Sequence, residues 1–196
     1  MSKRQLKKMN RNQNITLTVE ALDNLRRKAS LEAVHITNYF PLLVLRDTFE
    51  LGQTTLNRFQ KSYVDIWDQY NHQKLNLTTI AKELKDVADI TFAERKDLTH
   101  HYPEKAPSDK ITIKKRDLDR IRKNSIHDAF MITGYIPLYV LRSEYGFGKV
   151  RLQRFHQAYL NLWDSYNKEY VSLQDIKDVL KDEVNVTWIS DDDIEA

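Results

Sequence analysis

The chain has no cysteine among its 196 residues, and only four glycines and four prolines. Without cysteine it can have no disulfide, thiol nucleophile or thiolate metal site, and this composition is typical of proteins in a reducing compartment. No run of apolar residues is long enough for a membrane span, and the basic N-terminal segment lacks the apolar stretch of a signal peptide. The sequence therefore predicts a cytoplasmic protein with no membrane partner.

Scarce glycine, combined with frequent Leu, Lys, Glu, Asp and Arg, favours helices over sheets. Hydrophobic residues make up 41% of the chain, which is enough to form ordered cores. The predicted fold class is therefore mainly α.

The sequence also repeats itself at an interval of 96 residues. The segment from Ile15 to Phe92 aligns without a gap with the segment from Ile111 to Trp188, and 29 of the 78 paired residues are identical. This predicts two tandem copies of one small helical domain. The predicted divisions are a basic N-terminal arm at 1–13, a first repeat at 14–92, a linker at 93–109, a second repeat at 110–188 and an acidic tail at 189–196.

Apolar spacing predicts four helices in the second repeat, over 116–132, 137–144, 149–167 and 172–181. Pro137 either kinks the first helix or lies in the first turn of the second, and the upstream Gly134 favours the latter. Ser172 and Asp175 resemble a capping box at the start of the last helix.

Short β-branched stretches flank the helices of each repeat. Ile111–Ile113 and Val184–Trp188 alternate as strands do, and we expect them to pair as a two-stranded ribbon within the second repeat. The corresponding stretches of the first repeat are Ile15–Leu17 and Ile90–Phe92.

Aromatic residues recur at helical spacing in both repeats. Tyr63, Trp67 and Tyr70 match Tyr159, Trp163 and Tyr166, and each set lies on one helix face, which predicts a buried stripe. Asp68 and Asp164 follow the two tryptophans directly. A structural ion pair or a helix hydrogen bond is the favoured interpretation of these aspartates, over general acid–base catalysis. The candidate arginines are Arg46, Arg58, Arg142 and Arg154.

The sequence offers little enzymatic chemistry. It has neither a glycine-rich phosphate loop nor a nucleophile elbow. The adjacent His100 and His101 lie in the linker without an acidic cluster, and the other histidines are scattered, so we expect no metal site. We therefore predict a protein that is not an enzyme and holds no cofactor.

The most distinctive local pattern is a short helix, a tight turn and a long helix. The second repeat reads Gly146-Phe-Gly-Lys-Val-Arg-Leu-Gln-Arg-Phe155 through this turn. Over about twenty residues in each repeat, the pattern resembles the helix-turn-helix of bacterial repressors, particularly the tetracycline-repressor type. The alternative is a purely structural turn between two packed antiparallel helices.

The helix-turn-helix resemblance implies that the long helix enters the major groove of DNA. The residues that would then contact phosphates and bases are Lys149, Arg151, Gln153 and Arg154. In the first repeat only Arg58 matches, and Glu50 replaces the turn glycine, so the DNA-facing role is expected of the second repeat.

The N-terminal arm is the other basic segment. Residues 1–13 carry five basic and no acidic side chains, and the second repeat is also basic, which favours an anionic partner. The arm residues expected to bind nucleic acid are Lys3, Arg4, Lys7 and Lys8. A solvated terminus is the alternative interpretation.

A broader resemblance covers most of each repeat. The run VLRSEYGFGKVRLQRF, followed by YVSLQDIKDVLKDE, resembles a group of small, uncharacterised helical proteins from bacteriophages and mobile elements of Gram-positive bacteria, which carry the unit once. It implies an intracellular role in gene regulation, host takeover or interference with host defence. The leading hypothesis is DNA binding, and the alternative is a protein-binding module that inhibits a host enzyme or defence complex.

Overall fold

The computed structural model describes residues 13–92 and 106–188, except for the side chains of residues 128, 129 and 131–133. This part of the chain is mainly helical with one two-stranded sheet, as the sequence predicts. The elements in chain order are β1 (Asn14–Thr18), α1 (Val19–Phe49), α2 (Gln53–Asn71), α3 (Leu77–Ala88), β2 (Lys110–Lys114), α4 (Lys115–Thr133), α5 (Tyr135–Ser143), α6 (Lys149–Asn167) and α7 (Leu173–Val184).

The elements recur along the chain at the interval of the sequence repeat. Strands β1 and β2, helices α2 and α6, and helices α3 and α7 have bounds that differ by 96 residues. Backbone conformation recurs as well, because the described residues with positive φ fall at matched positions. These left-handed pairs are Glu50 with Gly146, Gln73 with Glu169, and Asp89 with Asn185.

The described residues form two compact units that do not follow the boundaries of the repeats. One contains residues 13–34 and 106–130, and the other contains residues 35–92 and 131–188. Each unit therefore takes segments from both repeats. The predicted division into two tandem domains stays a prediction about the sequence.

The first unit contains the sheet, and here the predicted strand pairing is wrong. Strand β1 pairs antiparallel with β2, with Ile15 opposite Ile113 and Leu17 opposite Ile111, so the ribbon joins the two repeats. The stretches 90–92 and 184–188 are not strands. Strands β1 and β2 can pair because they have the same length, and in both the polar residues lie on one face and the half-buried apolar residues on the other.

The second unit is held together by contacts that recur reciprocally between the repeats. The hydroxyl of Tyr135 accepts a hydrogen bond from the backbone N–H of Phe92 at 3.0 Å. At the matched positions, the hydroxyl of Tyr39 accepts from the backbone N–H of Trp188 at 3.4 Å. Such exchange is the signature of an isologous, two-fold arrangement, here within one chain.

The predicted aromatic stripe lies in this unit, and burial is confirmed for half of it. Tyr63, Tyr159 and Trp163 are buried, whereas Trp67, Tyr70 and Tyr166 are half-buried. A stripe residue also contacts the other repeat, because the ring of Phe40 lies edge-on to that of Tyr159, at 6.1 Å between centroids. These aromatic rings therefore pack in the core of the unit rather than form a ligand-binding site.

Helix bounds agree closely with the predictions. Helix α6 spans the predicted 149–167, and Pro137 lies in the first turn of α5, where a missing N–H costs no helical hydrogen bond. In the first repeat Asn38 stands in place of Gly134, and α1 continues through Pro41 without a break. The capping box of Ser172 and Asp175 is confirmed at the start of α7.

Candidate functional site

The second turn, residues 144–148, joins α5 to α6 through one left-handed residue. Gly146 has φ of 62°, a conformation that costs little only for glycine. Beyond it, the backbone N–H of Phe147 bonds to the carbonyl of Leu141 at 3.0 Å. The Phe147 side chain is thereby buried, and α6 begins directly after Gly148 with its first residues exposed.

The first turn, residues 50–52, has the same backbone without the glycine. Glu50 occupies the left-handed position at φ of 54°, and Leu51 bonds back to the carbonyl of Leu45 at 3.4 Å. The absence of a turn glycine in the first repeat therefore does not change the conformation. It leaves Glu50 with the strain that a side chain bears there.

The two turns contact each other through aromatic rings, and arginine side chains lie over these rings. The ring of Phe49, at the end of α1, lies 5.1 Å from that of Phe147 between centroids. The guanidinium carbon of Arg151 lies 3.9 Å from the Phe147 centroid, and that of Arg154 lies 5.3 Å from the Phe49 centroid. Two cations therefore cover one aromatic pair.

A third guanidinium group repeats this arrangement from the other repeat. The guanidinium carbon of Arg58 lies 4.9 Å from the ring centroid of Tyr145. Arg58 and Arg154 are matched residues of the two repeats, and so are Tyr145 and Phe49, so the contact is reciprocal. Burial raises the pKa of Tyr145, and the charge of Arg58 partly offsets this. We call Phe49, Tyr145, Phe147, Arg58, Arg151 and Arg154 the turn cluster.

The two turns differ strongly in charge. Residues 46–58 carry two basic and two acidic side chains, for a net charge of 0. The matched residues 142–154 carry four basic and one acidic side chain, for a net charge of +3. Only the second turn is therefore cationic, although the backbones correspond.

Ion pairing increases this difference. The guanidinium group of Arg46, beside the first turn, pairs with Glu183 and with Asp47. At the matched positions around Arg142, Val87 and Ser143 stand in place of these two acids. The Nε atom of Arg142 is buried without a hydrogen-bond partner in the part of the chain that the structure describes.

The predicted contact residues on α6 have different surroundings. Lys149 is exposed at the first position of the helix, and Arg151 and Arg154 belong to the turn cluster. The Nε2 of Gln153 instead donates to the carbonyl oxygen of Ala88, at the end of α3, at 2.8 Å. Gln153 thus has a structural contact of its own. The predicted arm residues Lys3, Arg4, Lys7 and Lys8 lie outside the described residues.

The expected arginine partners of the repeated aspartates are wrong, because each aspartate instead contacts a basic side chain of its own helix. Asp68 contacts His72 one helical turn onward, at 3.1 Å, and Asp164 contacts Lys168. A basic side chain four residues onward lies on the same helix face as each aspartate, so local pairing prevails. Both aspartates are exposed and lie outside the turn cluster.

Sequence reasoning missed the aromatic members of the turn cluster. Phe49, Tyr145 and Phe147 belong to no helical stripe, so periodicity gave them no role. The available signal was their position, because aromatic residues adjoin both turns and arginines follow within one or two helical turns.

No family model, curated protein or solved structure matches the chain. Across residues 13–92 and 106–188, no helix is long and apolar enough to cross a bilayer. Within the same ranges no three His, Asp or Glu side chains are grouped as metal ligands would be.

Proposed function

We propose that the protein is a non-enzymatic DNA-binding protein that contacts the sugar–phosphate backbone and bases through the second turn and the start of α6. The observation that carries this proposal is the stacking of Arg151 and Arg154 on the aromatic pair of Phe49 and Phe147. A regulatory role in a bacteriophage or mobile element, in the host cytoplasm, belongs to the same proposal and comes from the sequence resemblance.

Stacking on a ring leaves the edge of a guanidinium group available. The faces of the planar group contact the aromatic ring, while its N–H donors point outward in a fixed fork that matches phosphate oxygens or a guanine edge. Rings that hold Arg151 and Arg154 in place also reduce the side-chain entropy that binding would otherwise cost. The exposed Lys149 adds a third positive charge at the helix start, where backbone N–H groups also favour anions.

The internal repeat supports a one-sided interface. Both turns have the same backbone, yet only the second has a positive net charge, and Arg46 beside the first turn is already paired with Glu183. Arg58 reaches Tyr145 of the second turn, and so adds its charge to that side. We infer that the second turn, together with Arg58, contacts DNA and that the first turn has a structural role.

The alternative is a protein-binding module, and one observation favours it. Val150 is 77% exposed at the second position of α6, between Lys149 and Arg151. An exposed apolar side chain among cations suits an acidic protein surface. The similarly exposed Tyr170 follows the far end of the same helix, so the two do not form one apolar patch, and this weighs against a large hydrophobic interface.

Salt-dependent binding to duplex DNA tests the proposal. Fluorescence anisotropy with a labelled 20-bp duplex should show affinity falling steeply with salt, because bound phosphates release counterions. Replacing Arg151 and Arg154 by Ala should reduce the slope of log affinity against log salt by about 2. The charge-matched control replaces Lys61 and Lys74, both exposed and outside the turn cluster, and should keep the slope.

Two results would overturn the proposal. One is a wild-type chain that does not bind the duplex at low salt, and the other is equal binding by the Arg151→Ala, Arg154→Ala variant and the wild type. Replacing both arginines by lysine separates charge from stacking, since lysine keeps the charge and loses the planar fork. Capture of a host protein by the wild type but not by a Val150→Asp variant would favour the alternative.

A further inference from the structure

The β-ribbon has two faces of different chemistry. Apolar residues at positions 15, 17, 111 and 113 are half-buried on one face. The other face is polar, and apart from the half-buried Thr18 its residues are exposed. This polar face, called the ribbon face below, consists of Asn14, Thr16, Thr18, Lys110, Thr112 and Lys114.

The ribbon face has an approximate two-fold axis at its centre. Thr16 and Thr112 are matched residues of the two repeats, and they are direct partners in the antiparallel ladder. Their hydroxyl oxygens lie 3.2 Å apart. When two matched residues of a repeat are direct partners in an antiparallel pair, the local two-fold axis passes between them.

Contacts at both ends hold the ribbon in register. The backbone N–H of Lys115 bonds to the carbonyl of Gln13 at 2.9 Å, and that of Val19 bonds to the carbonyl of Asp109 at 3.0 Å. The Thr18 hydroxyl accepts from the N–H of Ala21 at 3.1 Å, so it caps α1. Both helices therefore begin where the strands end, and the ribbon lies between two helix starts.

Size and charge of the ribbon face suit the major groove of B-form DNA. Five-residue strands are roughly 17 Å long and about 4.8 Å apart, and the groove, about 12 Å wide, admits a two-stranded ribbon. The face has two lysines and no acid. The nearest acid in sequence, Asp109, accepts a hydrogen bond from the Ala106 N–H at 3.0 Å, beyond the end of β2.

We propose that the ribbon face is a second DNA-binding surface, which enters the major groove and reads bases. Its side chains have the required chemistry: Asn can bond bidentately to adenine, Lys to the guanine edge or to phosphates, and the Thr methyl can contact thymine. The proposal does not depend on the turn cluster, because the two surfaces share no residue.

The internal repeat also predicts how the DNA site that the ribbon face binds is organised. The two strands are related by the local axis but differ in chemistry, since Asn14 is matched by Lys110 and Thr18 by Lys114. One strand therefore offers the Asn14 amide and the Thr16 hydroxyl, and the other offers two ammonium groups around the Thr112 hydroxyl. We infer a DNA site whose halves are related in spacing but not in sequence.

A lysine substitution on the ribbon face tests the proposal with the full chain. Replacing Lys110 and Lys114 by Ala should reduce the salt slope for a 20-bp duplex by about 2, since two phosphate or base contacts are lost. The charge-matched control replaces the exposed Lys28 and Lys123, which lie on the helices after the strands, and should leave the slope unchanged. An equal effect in both variants, or no effect in the first, overturns the proposal.

Base reading has its own measurement. Selection from a pool of random 20-bp duplexes should enrich one sequence with the wild type, and Asn14→Ala should lose at least about fivefold of that preference at one base pair. Equal binding to duplex RNA would also overturn the proposal, because side chains cannot reach the deep, narrow major groove of an A-form helix.

The same measurements separate the two proposals. Loss of binding only in the Arg151→Ala, Arg154→Ala variant would overturn the ribbon and support the turn cluster. Loss only in the Lys110→Ala, Lys114→Ala variant would support the ribbon and overturn the turn cluster, whereas loss in both variants supports both surfaces. A wild-type chain that binds no duplex overturns both.

Discussion

The hydroxyl of Tyr135 accepts a hydrogen bond from the backbone N–H of Phe92, and the ring of Tyr135 lies edge-on to that of Phe92 at 4.6 Å between centroids. Tyr39 and Trp188 form the matched contact. In each case a tyrosine of one repeat fixes the chain that leaves the last helix of the other. Stability of this unit therefore depends on both repeats at once.

Removing the Tyr135 hydroxyl should leave the Phe92 N–H without this acceptor. Tyr135→Phe should lower the free energy of unfolding by about 1–2 kcal/mol, because a partly buried donor loses its partner while the ring contact remains. Urea unfolding monitored by tryptophan fluorescence measures this. The control Tyr170→Phe removes a hydroxyl from a side chain that is 78% exposed and should change stability by less than about 0.5 kcal/mol. Equal effects would contradict the role of this hydrogen bond.

Gly146 is the position where glycine is required by conformation. Gly146→Ala should destabilise the protein by about 1 kcal/mol, because its φ of 62° is unfavourable for a residue with a Cβ. Gly148→Ala is the matched control. Its φ is −80°, and an added Cβ would meet no atom within 4 Å, so the stabilisation from a less flexible unfolded chain should offset the poorer N-cap that alanine makes, with a net change within about 0.5 kcal/mol. Thermal unfolding of the two variants should show that Gly146→Ala is the less stable, and equal stability would show that turn strain is unimportant.

The helices could be predicted because their signals are local. Apolar spacing, Gly148 before α6 and the Ser172 cap before α7 all act within a few residues, and the predicted bounds of α6 are the observed ones. Strand pairing is not local. The short stretches at the two ends of each repeat all alternate between apolar and polar residues. Nothing in the stretch at 111–113 therefore indicates whether its partner lies at 184–188 or in the other repeat.

The candidate site shows the same limit. Sequence alone indicated the basic residues of α6, but the rings beneath Arg151 and Arg154 come from different segments, one of them 102 residues before Arg151 in the chain. The carbonyl that Gln153 bonds likewise belongs to the other repeat. Such partners follow from how the repeats pack on each other, and a helix pattern carries no information about that.

Gln153 is expected to stabilise the fold rather than to contact DNA. Gln153→Ala should cost about 1 kcal/mol, because the carbonyl of Ala88 loses its side-chain donor at the end of α3. The DNA affinity and its salt slope should stay at the wild-type values. Gln157→Ala is the control, since its amide donates to Asn161 on the same helix. A changed base preference in the Gln153 variant would instead indicate that this side chain reads DNA.

His156 should make the stability of the protein fall in mild acid. Burial lowers the pKa of His156, whose Nε2 is buried without a hydrogen-bond partner among the described residues and whose ring packs edge-on to Phe92 at 4.9 Å. The unfolded chain, with a histidine pKa of about 6.5, therefore binds the proton more readily than the folded protein. The contribution of the neutral ring is complete above that pH and is lost as the pH falls from there through the lower folded pKa.

The matched residue of the first repeat supplies the test variant for His156. Gln60 does not titrate, and its amide donates to the carbonyl of Thr187 at 3.0 Å. His156→Gln should therefore unfold with less dependence on pH between about 7 and 5, as measured by urea midpoints at each pH. The control His72→Gln replaces an exposed ring and should keep the acid-dependent fall of the wild type. Parallel curves for the wild type and His156→Gln would show that protonation of His156 does not limit stability.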